Sequence, residues 1–74
     1  MISHLSGKAL HTTDKSVTLD VSGVGYLVYT TTDTLFQINS LGENTVHLWT
    51  HMSVRENAIE LFGFFNIEEL EFFQ

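Results

Sequence analysis

The chain has no cysteine, which rules out disulfides as a source of stability and is consistent with a reducing compartment. Basic residues are nearly as scarce. Lys8, Lys15 and Arg55 stand against nine Asp and Glu, giving a formal charge of −6. Gripping phosphates takes several Lys or Arg contacts. A chain with this balance, set against nucleic acid, is expected to shape or exclude it rather than hold it. No apolar run approaches the length of a membrane span and the N-terminus lacks a signal-peptide pattern, so no membrane partner is expected and the domain should be soluble. What is present is modest: 74 residues, 43% of them hydrophobic, enough for one small core near the lower limit of independent stability.

The dominant period along the chain is two. Ile2 to Leu10 reads as a strand bent around Gly7, and "HTTDK" as a polar turn. In "SVTLDV", Val17, Leu19 and Val21 alternate with Thr18 and Asp20, the pattern of a half-buried strand. "SGVG" (Ser22 to Gly25) predicts a hairpin turn whose glycines supply the positive φ, and "YLVYT" (Tyr26 to Thr30) predicts a third strand. "TTDTLFQIN" then breaks the rhythm with a short helical turn capped by Thr31 or Thr32 and carrying Leu35, Phe36 and Ile38, with Gly42 in the turn that follows. "TVHLWTHM" alternates again, placing Val46, Leu48, Thr50 and Met52 on one face and Thr45, His47, Trp49 and His51 on the other. "AIELFGF" predicts a fifth strand in which Gly63 marks a bulge or close packing.

Five short strands with one helical piece between the third and fourth is the element order of an OB-fold barrel, an all-β class. An SH3-like barrel is the runner-up, disfavoured by the insert before the fourth strand. The last nine residues, "NIEELEFFQ", differ in kind. Asn66 can cap a helix, Glu69 stands three residues on, Glu68 and Glu69 suit the helix dipole, and Ile67, Leu70 and Phe73 recur at helical spacing. This predicts a barrel over residues 1–65 and, over 66–74, the start of a helix cut short at Gln74, as in the first part of a longer protein.

Candidate chemistry is thin. His47 and His51 share the i, i+4 spacing of helical metal ligands, but on a strand that spacing sets them about 13 Å apart, too far to share an ion. His4 and His11 add no compact motif. No serine lies in a nucleophile elbow, and the glycines of "GVG" join strands instead of opening a helix, so a phosphate cradle is not supported. Neither a metal nor another cofactor is expected, and enzymatic activity is not expected. Trp49, Tyr26, Tyr29 and the six phenylalanines can form a base-stacking platform, but such platforms accompany a basic groove, so core packing or a subunit interface is the better account. The polar knot Arg55–Glu56–Asn57 falls where an OB-fold has its loop between strands four and five, one of the fold's usual functional loops. Pattern alone reads it as an ordinary solvated hairpin tip.

The wording of three stretches goes further. "THMSVRENAIELFGF" (Thr50 to Phe64) resembles the Thr-His-aliphatic-x-Val-Arg-Glu-Asp-Ala-x-x-Leu-Tyr-Gly-Phe pattern of the RuvA family. "MISHLSGKAL" is similar to that family's Met-Ile-x-x-Leu-x-Gly opening, and "VSGVGYLVYT" to its Gly-Val-Gly-Tyr hairpin, with Ser22 where a glycine is common. The resemblance implies the N-terminal OB-fold domain of a bacterial, cytoplasmic, non-catalytic protein that forms a homotetramer on four-way (Holliday) junction DNA. It also implies a following helix-hairpin-helix domain that grips DNA, a third domain contacting the ATP-driven RuvB motor, and RuvC resolvase as a further partner. On its own, the stretch 1–74 is then expected to bind junctions poorly. Two consecutive acidic residues form the family's pin at the junction crossover. They map onto Glu56 and Asn57, preceded by Arg55, so each pin here carries one carboxylate where the pattern has two. The competing expectation is a free-standing OB-fold module that binds a protein or an oligosaccharide.

Overall fold

The computed structural model describes residues 1–74. Five strands, β1 (His4–Thr12), β2 (Ser16–Val21), β3 (Val24–Tyr29), β4 (Val46–Val54) and β5 (Ile59–Phe64), close into a barrel in the order β1-β2-β3-β5-β4. Two helices complete it, α1 (Thr32–Leu41) between β3 and β4, and α2 (Ile67–Phe73) after β5. This is the expected OB-fold.

The alternating strands fill the barrel as their pattern predicts. Val17, Leu19, Val28, Val46 and Leu48 are wholly buried, and they pack with Leu5, Leu61 and two residues of α1, Leu35 and Ile38. Removing a side chain of this size from water contributes about 1.5–3 kcal/mol. α1 supplies two of the nine core residues, and at ten residues it is longer than the short turn expected. Thr31 is its cap, its hydroxyl accepting the Thr34 amide at 3.2 Å, and Gly42 ends it at φ 63°.

Closure depends on β1 serving two neighbours. Its first half pairs with β4 (His4 with Trp49 through Gly7 with Val46), and its second half pairs with β2, with a bulge at Leu10 where the register shifts between Ala9 and His11. At Gly7 the Asp20 carbonyl oxygen comes so close that a Cβ would overlap it. The other seam, β3 with β5, is parallel and short, joining Val28 to Leu61 and Tyr29 to Phe62. The Thr30 hydroxyl reinforces it, donating to the Gly63 carbonyl at 2.7 Å. Gly63 is a close-packing glycine, because a Cβ there would lie 2.6 Å from Val28 Cγ1.

The β2–β3 turn corrects one expectation. The positive φ values fall on Ser22 (53°) and Gly23 (90°), whereas Gly25 lies within β3 opposite Asp20. Two consecutive left-handed residues match the right-handed twist of a two-residue hairpin. Asp20 Oδ1 accepts the Gly23 amide at 2.9 Å and ties the turn down.

α2 starts at Asn66, whose side chain accepts the Glu69 amide at 2.9 Å. It lies against the outer face of β4 and β5. Leu70 is buried, and the Phe73 ring sits 5.3 Å from Phe62, 5.1 Å from Phe64 and 5.7 Å from His51 between centroids.

Candidate functional site

The β4–β5 hairpin carries the residues singled out by the wording of the sequence. Six antiparallel pairs run from Trp49 with Phe64 out to Val54 with Ile59. Beyond them the Arg55 amide donates to the Ala58 carbonyl at 2.8 Å, and the Ala58 amide returns to the Arg55 carbonyl at 3.4 Å. Only Glu56 and Asn57 remain in the loop. Neither has a positive φ, so this turn is built unlike the one at Ser22–Gly23.

Every side chain from Val54 to Ile59 is exposed. The Arg55 guanidinium does not meet its sequence neighbour Glu56. It turns back along the hairpin and donates to Glu60 Oε1 at 2.6 Å, the one ion pair of the chain. Antiparallel register explains the choice: Arg55 sits opposite Ala58 and Ser53 opposite Glu60, so Arg55 and Glu60 are diagonal neighbours on the outer face. Glu56 is left at the apex without a cation, beside the neutral amide of Asn57. The tip therefore presents negative charge, with its single basic residue neutralised by a glutamate below it.

The structure also separates the other candidates. The histidine beside His47 is His4, at 6.1 Å between ring centroids, and His4 meets the Trp49 indole edge-on at 4.9 Å. His51 instead lies under α2, its Nδ1 3.1 Å from the Gln74 amide nitrogen. No three potential metal ligands gather anywhere. Tyr29, Phe62, Phe64 and Phe73 line one outer groove of about 510 Å³ together with Lys15 and Glu60, Tyr26 and Phe65 pack against the core from outside it, and Phe36 and Phe72 are exposed. Sequence reading missed Glu60 as the partner of Arg55. It also missed the exposed pair Val54 and Ile59, although the inward-facing alternation of β4 and β5 extended one step further reaches both.

Comparison with known proteins bears on what this hairpin is. Residues 1–63 match the family described as RuvA N terminal domain. The chain belongs to the RuvA N-terminal domain family. Relatives include the Holliday junction branch migration complex subunit RuvA of Bdellovibrio bacteriovorus, 41% identical over 73 residues. The proteins of the same description from Trichlorobacter lovleyi and Ruminiclostridium cellulolyticum are 43% identical over 74 residues and 34% over 76. The matches cover 99–100% of this chain but 36–37% of those relatives, so the chain spans little more than a third of their length. The matched stretch, residues 1–63, contains all of the β4–β5 hairpin except Phe64, and with it the Glu56–Asn57 apex.

Proposed function

We propose that this chain is the junction-facing domain of a RuvA-type subunit, non-catalytic, acting with copies of itself on four-way DNA in the bacterial cytoplasm. Its membership of the RuvA N-terminal domain family supports the reading, and one structural observation carries it: an exposed two-residue apex bearing an unpaired carboxylate, held at the end of a fully paired hairpin. In this reading Arg55, Glu56 and Asn57 form the pin. Glu56 repels phosphates and holds backbones apart at the crossover, an effect of order 1 kcal/mol per charge pair at contact in water. Asn57 contributes donors and an acceptor in place of a second charge. Arg55 acts indirectly, since its pairing with Glu60 braces the hairpin below the apex.

The same reading makes residues 66–74 the opening of a helix-hairpin-helix domain that grips the duplex arms, a task for which three basic residues are too few. The RuvB motor and RuvC resolvase would be met through the assembled protein. The decisive experiment compares the full-length gene product on a four-way junction and on linear duplex of the same sequence. Clear junction preference is expected, and equal affinity for the two would reject the reading.

A further inference from the structure

The inward-facing row of the β4–β5 hairpin does not end where the barrel ends. Thr50 with Gly63 and Met52 with Leu61 face the core, and the next pair in the same row is Val54 with Ile59. This last pair lies beyond the cover of the barrel, 64% and 69% exposed. A hairpin end in water ordinarily carries polar side chains, and here two β-branched aliphatic ones stand side by side directly beneath the apex.

We infer that Val54 and Ile59 form an apolar ledge that receives an unstacked base at the junction crossover, an inference that rests on the proposed function. Charge selects the occupant. The Glu56 carboxylate above the ledge has no cation partner, and Arg55 is held by Glu60, so a phosphate is disfavoured on both counts. A base is uncharged and flat, and its face loses little by leaving water. Aliphatic side chains set against base steps are a general means of holding nucleic acid unstacked. The ledge and the carboxylate thus divide the work: the apex rejects backbone, and the pair below accepts the base that backbone separation exposes.

The test uses the full-length protein and a four-way junction with 2-aminopurine at the crossover, a base whose fluorescence rises when it unstacks. A second junction carries the probe within one arm. The wild-type protein should brighten the crossover probe and leave the arm probe unchanged. Val54→Ser and Ile59→Ser should each cut that brightening by about half or more, and Ile59→Leu should retain it, because the effect depends on apolar surface. Undiminished brightening in both serine variants would overturn the ledge. So would dissociation of the serine variants into smaller assemblies in sedimentation, since the pair would then be a contact between copies. Failure of the wild-type protein to prefer junctions over duplex is a separate result, and it removes the proposed function together with this inference.

Discussion

Arg55 and Glu60 are joined across the β4–β5 hairpin at 2.6 Å, and this contact leaves the Glu56 carboxylate alone at the apex. A charge that looks balanced in the sequence is unbalanced in space. The Arg55 side chain is 64% exposed and that of Glu60 29%, so solvent screens the pair. A double-mutant cycle with Arg55→Ala and Glu60→Gln, read by urea denaturation, should give a coupling of about 0.2–1 kcal/mol that shrinks in high salt. A coupling above that range would mean the hairpin is braced more firmly than an exposed ion pair allows.

The apex charge should act on DNA with a predictable sign. In the full-length protein, Glu56→Gln removes a repulsion and should tighten junction binding, whereas Asn57→Asp adds one and should loosen it. At least about fivefold in each direction is expected at low salt, from roughly 1 kcal/mol for one charge pair, with every copy in the assembly adding to it. Both effects should fade as ionic strength rises and the screening length falls below about 10 Å. Gel-shift titrations at several salt concentrations measure this directly, and branch-migration rates of the Asn57→Asp protein show whether the second charge matters to movement.

Two glycines should tolerate alanine very differently. At Gly63 the new methyl meets side chains, Val28 Cγ1 at 2.6 Å and Leu48 Cδ1 at 3.1 Å, which can shift at an overpacking cost of about 1–3 kcal/mol. At Gly7 it meets the Asp20 carbonyl, which is backbone and cannot give way without unpairing β1 from β2. Thermal unfolding should rank Gly7→Ala below Gly63→Ala, and the reverse order would contradict the packing described.

Ser22 offers a gain in stability. It holds φ 53° without the conformational freedom of glycine, in the first position of a turn that favours Asn-Gly. Ser22→Asn should stabilise the domain by about 0.5 kcal/mol, raising Tm by about 2–4 °C at this size. Differential scanning calorimetry of the two proteins tests it.

Much of the barrel was legible because half-buried strands impose a period of two. The alternation of Val17 with Leu19, and of Val46, Leu48 and Thr50, located the core directly. α1 was underestimated because Leu35, Phe36 and Ile38 crowd together, Leu41 stands alone at its end, and its other six residues are polar, so the segment resembles a loop. The parallel seam between β3 and β5 left no trace in the sequence, since it involves two residue pairs from distant strands. At the hairpin tip, adjacency in sequence was misleading. Arg55 stands beside Glu56 in the chain, but cross-strand register gives it Glu60. The role proposed for the apex rests on resemblance to a family pattern, because a solvated turn and a junction pin have the same polarity. Val54 and Ile59 were overlooked because each is unremarkable alone, and only the register shows them as a pair outside the core.

The division of β1 between two neighbours bears on how the domain is made. The β1–β2–β3 meander consists of local pairings that can form as soon as those residues leave the ribosome. The front half of β1 must wait, because its partner begins at Val46 and the pairing joins residue 4 to residue 49. Until β4 emerges, Leu5 and the edge of β1 stay open to other chains. Pairings so distant in sequence are slow to form. The nascent domain is therefore most exposed to misassembly during synthesis of α1 and the segment after it, and a stall in translation there should capture a three-stranded intermediate.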